Sequence, residues 1–125
     1  MAKVMIRAND IKNRMYLYLE GSPSAVEMLS LKDKFLMELN KCQKGFTVMT
    51  IFDNFSPDSQ KVFKVAATLT QILKKAGVSK VARVTTNSHI ILKKIDQIAK
   101  GYGGYNTGTF RTFEEAEDYL DGLKS

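Results

Sequence analysis

The side chains able to do chemistry are few in this chain. His89 is the only histidine and Cys42 the only cysteine among 125 residues. Nucleophilic catalysis needs a nucleophile, a base within hydrogen-bond reach and a third group that orients the base. One imidazole leaves little material for that arrangement or for a histidine metal cluster. His89 falls near the start of a predicted helix over 88–100, where positive charge is disfavoured, so it reads as a neutral surface or half-buried side chain. Cys42 continues the apolar spacing Met28, Leu31, Phe35, Leu39, Cys42, in steps of 3, 4, 4 and 3. It reads as a small core residue, because a reactive thiolate wants a histidine or a helix N-terminus beside it and Cys42 lies towards a helix C-terminus. No Cys-x-x-Cys, His-Glu-x-x-His or Gly-x-Ser-x-Gly pattern occurs. The expectation is a chain that is not an enzyme, with no catalytic residue, metal site or cofactor.

Two segments still carry chemical interest. Gly101-Tyr102-Gly103-Gly104-Tyr105-Asn106-Thr107-Gly108 has the look of a phosphate loop. A phosphate loop follows a strand, opens a helix and usually ends in a Lys-Ser or Lys-Thr pair. This segment follows a predicted helix, leads into a strand and lacks the pair, so it reads as a connector whose tyrosines could offer contact area. The second segment is Asp53-Asn54-Phe55-Ser56-Pro57-Asp58-Ser59. Asp53 is an acid at the C-terminal end of a predicted strand, where α/β sheets bind ligands. Ser56 is expected to cap the following helix, with Pro57 where no N–H is needed and Asp58 in the first turn. Ser59, one residue further, could take a phosphate that the helix N-terminus would stabilise, adding roughly −1.5 to −2 of charge. Phe55 is either a staple packed back onto that helix or an exposed anchor for a partner.

The elements that must position these residues follow from periodicity. Residues 3–8 and 15–19 read as an antiparallel strand pair around turn residues Asn9, Asp10 and Asn13. Gly21-Ser22-Pro23-Ser24 opens a helix, with Ser22 as its cap and Pro23 at its first position, running to about Gln43. Residues 46–52 form an apolar run broken only by Thr47 and Thr50, the pattern of a strand buried on both faces. Val62, Val65, Ala66, Leu69, Ile72, Leu73 and Ala76 make an amphipathic stripe that Gly77 ends. A strand over 80–86, the helix over 88–100 and a weak strand over 105–110 come next. Thr112-Phe113-Glu114-Glu115 is a capping box for a terminal helix. The order β-β-α-β-α-β-α-β-α implies a single α/β domain over 1–125: a mixed, mostly parallel sheet of about five strands with about four helices.

Charge is unevenly distributed along these elements. Residues 59–113 hold ten basic side chains against the single acid Asp96, while 114–121 hold five acids and no base. Lysines on the solvent faces of helices keep a protein soluble; they could also meet an anionic partner. No apolar run approaches the roughly 18 residues of a membrane span, and the N-terminal apolar patch is shorter than a secretory leader needs. With a lone cysteine as well, the cytoplasm is the expected compartment.

Three stretches together resemble the STAS family, the anti-sigma-factor antagonists of SpoIIAA type. Met15-Tyr16-Leu17-Tyr18-Leu19-Glu20-Gly21 is similar to that family's second strand. Residues 46–53 resemble the strand whose closing aspartate precedes the regulatory loop. Phe110-Arg111-Thr112-Phe113-Glu114-Glu115-Ala116 through Leu120 resembles the closing strand and helix. The resemblance implies a regulatory module that binds a protein, in this family often an anti-sigma-factor kinase that phosphorylates the serine of an Asp-Ser pair. Asp58-Ser59 matches that pair, although Gln60 and Lys61 follow it where the family has glycine. The implied contact residues are Asp53, Asn54, Phe55, Ser56, Asp58 and Ser59. The alternative is an anion or lipid-headgroup binder using the lysine-rich faces; a nucleic-acid partner is not expected.

Overall fold

The computed structural model of the chain describes residues 3–56, 59–85, 97 and 106–122. Strand β1 (Lys3–Asn9) turns through Asn13, whose φ of 53° is in the left-handed region, and returns as β2 (Arg14–Glu20). Asparagine adopts that conformation more readily than most residues, and the Asn9 side chain accepts from the Lys12 N–H to close the turn. Next come α1 (Ala25–Leu39), β3 (Thr47–Asp53), α2 (Gln60–Ala76), β4 (Lys80–Thr85), β5 (Asn106–Phe110) and α3 (Phe113–Leu120). The strands form one sheet in the order β1-β2-β3-β4-β5, with only the first pair antiparallel. β3 is central, as its apolar run predicts. The expected helix over 88–100 lies outside the described residues, apart from helical Gln97.

Alternation along each strand sorts the side chains onto two faces. Ile6, Leu17, Leu19, Phe52 and Val81 lie on one face and form a core with Met28 and Phe35 of α1 and with Val62, Val65, Leu69 and Leu73 of α2. Met49, Ala82 and Val84 lie on the other, packed against Ala116 and Leu120 of α3. α2 ends at Gly77, whose φ is 92°. A Cβ there would also come within 2.7 Å of Lys44 Cγ, so geometry and space both call for glycine.

Three helix boundaries differ from the sequence expectation. α1 is capped by Ser24, not Ser22: the Ser24 hydroxyl accepts from the Glu27 N–H while Glu27 accepts from the Ser24 N–H. This reciprocal box satisfies two otherwise orphaned donors, and Pro23 is left buried ahead of the helix. α1 also stops at Leu39 instead of continuing to Gln43. Gln43 is held by the β1–β2 turn, its N–H donating to Asn13 Oδ1 at 2.8 Å while Asn13 Nδ2 donates to its carbonyl at 3.0 Å. Cys42 lies beyond the helix, half-buried against the core, and burial pushes its thiol pKa up. The third difference concerns α2, whose N-cap is Ser59 and not Ser56.

One backbone donor on the open edge of the sheet at β1 is met by a side chain. Glu38 of α1, nearly fully buried, accepts from the Ala8 N–H at 2.9 Å and pairs with Lys41 at 2.7 Å. Covering unpaired edge groups in this way protects against strand addition.

Candidate functional site

At the C-terminal end of β2 and β3, Glu20 and Asp53 are register neighbours on parallel strands. The Tyr18 hydroxyl lies 2.5 Å from Glu20 Oε1 and 2.8 Å from Asp53 Oδ2. A phenol has one proton to give, so it serves two carboxylates in turn. Hydrogen bonding to Glu20, then to Asp53, pushes the phenol pKa well above its usual range and keeps Tyr18 neutral. Asp53 is therefore an oriented hydrogen-bond acceptor at the mouth of the sheet.

The loops beyond these strands are tied together. The Gly21 N–H donates to the Asp53 carbonyl at 3.2 Å, and the Ser56 N–H donates to the Gly21 carbonyl at 2.9 Å. Between them Asn54 takes a left-handed φ of 49° and is exposed. Phe55 then turns inward, buried in the core with its ring 5.2 Å from that of Phe52. Of the two roles open to Phe55, the structure assigns the packed one; it is not an exposed anchor. Ser56 and Ser59 are both exposed. Ser59 holds an extended conformation at the N-cap of α2, yet its hydroxyl makes no capping hydrogen bond. Asp58 lies outside the described residues. The structure thus brings Asp53, Asn54, Ser56 and Ser59 to one end of the sheet and sends Phe55 beneath them.

A second surface was not anticipated from the sequence. Val26, Leu29, Leu36 and Met37 on α1 are exposed, at 75%, 56%, 37% and 61%. They point away from Met28 and Phe35, with exposed Ser30 and Asp33 among them, so the outer side of α1 is a mixed surface with large apolar side chains. A surface helix usually keeps its outer side polar, and here large apolar side chains are interspersed there. The spacing of these residues was the available signal, hidden because the inward stripe alone accounted for the helix. The stripe begins at Val26, in the first turn of α1, directly after the Gly21–Ser24 loop.

Among the described residues, no three His, Cys, Asp or Glu side chains come together to hold a metal ion, and no helix is long and apolar enough to cross a membrane. No family model and no curated protein matches the chain. Among solved structures it is similar to an uncharacterized DUF3478-family protein with a SpoIIAA-like fold from Shewanella loihica PV-4. That alignment has a TM-score of 0.71, covers 96% of this chain and 95% of the other, and carries 12% identity. The fold is SpoIIAA-like. At that identity the likeness concerns backbone architecture, and the SpoIIAA-like resemblance of the three sequence stretches agrees with it.

Proposed function

We propose that the chain is a regulatory protein-binding module of the cytoplasm, acting by docking and not by catalysis. Its docking surface runs from Asp53, Asn54, Ser56, Asp58 and Ser59 onto the exposed stripe of α1. The observation that carries this reading is that stripe: four large apolar side chains exposed on one helix, contiguous with a loop pair fixed by backbone hydrogen bonds. Exposed apolar patches of this kind mark interaction sites. The partner accordingly presents an apolar surface of its own. Ser59 is a phosphoacceptor candidate because its open hydroxyl stands at the N-terminus of a 17-residue helix with no acid in the first turn. A phosphate there would sit beside the helix N-terminus and Lys61.

The test is partner capture from the source cell, repeated with Leu29→Asp and Ser59→Asp variants of unchanged melting temperature. Specific capture that Leu29→Asp abolishes supports the reading; identical capture by both variants sinks it. A second reading has its own observation: α2 carries Lys61, Lys64, Lys74 and Lys75 on its exposed side and no acid anywhere. If that face binds an anionic surface, the binding weakens steeply with salt, whereas capture through α1 does not.

A further inference from the structure

Two spaces adjoin α1. One, between the sheet and helices α1 and α2, is an apolar void of about 110 Å³ within the core. The other is an open groove of about 580 Å³ where the outer edge of β1 runs beside α1. Its floor is β1 from Val4 to Ala8, and its wall is Leu31, Lys34 and Glu38 of α1 with Lys41 just beyond. β1 is an end strand of the sheet, so one side of its backbone has no neighbouring strand. Which groups face that side follows from Ala8. Its N–H donates to Glu38 and not to β2, so Ala8 and Met15, which lie opposite each other, share no ladder hydrogen bonds. Antiparallel pairs alternate between bonded and unbonded. Ile6 and Val4, opposite Leu17 and Leu19, therefore also turn their N–H and C=O groups outward. Glu38 meets the Ala8 donor; among the described residues, no hydrogen bond reaches the outward groups of Val4 and Ile6.

We propose that this groove takes an extended segment of a protein partner, alternating apolar and acidic residues, as a further strand beside β1. An unpaired strand edge offers main-chain hydrogen bonds to any extended chain, and the flanking side chains choose among them. Here the two faces of β1 differ. Ile6 belongs to the core on the α1 side and Val4 packs against it, and Leu31 continues that apolar wall. Alternation sends Lys3, Met5 and Arg7 to the other face, where all three are exposed. An added strand sends its successive side chains to the same two faces, so apolar residues meet Val4 and Leu31 while acids meet Lys3 and Arg7. Lys34 adds an exposed cation at the rim; the Glu38 carboxylate is already held by Lys41 and the Ala8 N–H. The same cations disfavour a second copy, whose β1 would bring another Lys3 and Arg7 to this edge. Glu38 also closes the Ala8 end and so confines the added pairing to Val4 and Ile6. The inference uses neither the loop at Asp53 to Ser59 nor the outer side of α1, and it stands independently of the docking surface proposed above.

The test is an NMR titration of the full chain with a capped octapeptide alternating valine and glutamate, with amide hydrogen exchange as the second readout. The expected result is saturable binding, with shifts along β1 and at Leu31 and slowed exchange of the Val4 and Ile6 N–H groups. Two further peptides, N-methylated at the valines or at the glutamates, keep their side chains and lose half of their main-chain donors. One of them should lose binding, and which one gives the direction of the added strand. A peptide alternating valine and lysine should bind about fivefold more weakly or worse. Val4→Pro removes an outward donor at an edge where proline is tolerated and should weaken binding severalfold, while Leu29→Asp on the outer side of α1 should leave it unchanged. If Val4→Pro does not fold, the methylated peptides decide on the native chain. The proposal is overturned if the parent peptide does not saturate, if both methylated peptides bind as it does, or if the valine–lysine peptide binds equally well. It is also overturned if the Val4 and Ile6 N–H groups become protected with rising protein concentration alone, which would make the occupant a second copy.

Discussion

On one side of the sheet Leu17, Phe52 and Val81 meet α1 and α2 through methyl groups and rings. On the other, the contact with α3 begins as a small apolar patch and ends as a charged, aromatic seam. Arg14, almost wholly buried, donates to Glu117 and, at 2.7 Å, to Asp121, and its Nε reaches Thr47 Oγ1 at 2.8 Å. Burial works to lower the Arg14 pKa, but the hydrogen bonds and charges of Asp121, Tyr16 and Glu117 raise it overall. The Tyr16 hydroxyl donates to Glu117 Oε1 at 2.6 Å while its ring stacks on Phe113. Lys80 lies over the Tyr119 ring, 5.3 Å from its centre. A 15-residue and a 17-residue helix can bury enough apolar surface to hold themselves; the 8-residue α3 cannot, and directional contacts make up the difference. The first face therefore tolerates a cavity, and the second depends on pairing.

The largest effect is expected on the apolar face. Phe35 is fully buried, and Phe35→Ala should destabilise by about 3–5 kcal/mol in urea unfolding. Leu69→Ala should fall at the lower end of about 2–5 kcal/mol, because Leu69 already borders a void. A loss below about half a kcal/mol at either position would place it on the surface and break the comparison.

Next come the ions under α3. The double change Glu117→Gln and Asp121→Asn leaves Arg14 buried without a carboxylate and should cost about 3 kcal/mol, a value typical of a buried pair broken from one side. Arg14→Met should cost less, since Glu117 and especially Asp121 can turn to water. The reverse order would mean that the arginine acts by packing and not by charge.

Acid sharpens the contrast further. A hydrogen bond from Arg14 holds the Asp121 carboxyl below its usual range, and hydrogen bonds from Lys41 and then the Ala8 N–H do the same for Glu38. A carboxyl whose folded pKa is depressed contributes its stability fully above the unfolded value, near 4, and loses it as pH falls through the folded value. Stability should thus decline below about pH 4. Asp121→Asn should flatten that decline, while Leu69→Ala lowers the whole curve without changing its slope. Equal slopes in all three proteins would remove the ionic account of the α3 face.

These contrasts also explain what could be read from the chain alone. The α2 stripe, the central β3 and the Thr112–Glu115 cap are local patterns and were legible; the Thr112 hydroxyl does accept from the Glu115 N–H. The start of α1 was misassigned because Ser22 and Ser24 both flank Pro23, and the deciding signal was Glu27, three residues after Ser24. Arg14 meets Glu117 and Asp121 across 103 and 107 residues, and no periodicity records such a pairing. Arg83 left a visible trace, a single charge inside the run Val81-Ala82-Arg83-Val84, but its near-complete burial needed the structure. Asp53, Asn54, Ser56 and Ser59 were placed after the C-terminal end of β3 by the strand pattern, whereas the inward turn of Phe55 needed the structure.

The smallest effect on stability should come from α1's outer side, and that is what makes it informative. Leu29 and Met37 are more than half exposed, so Leu29→Asp and Met37→Lys should each change unfolding free energy by no more than about 0.5 kcal/mol. Equivalent changes on α2, such as Gln71→Glu, should be as quiet, because that side is already polar. The two helices should then differ only when a partner is present. A hot-spot truncation costs about 2 kcal/mol of binding or more, and it should be seen for Leu29 and Met37 but not for Gln71. If instead Leu29→Asp destabilises the isolated chain, the stripe packs against the chain itself, and the case for α1 as a docking face is lost.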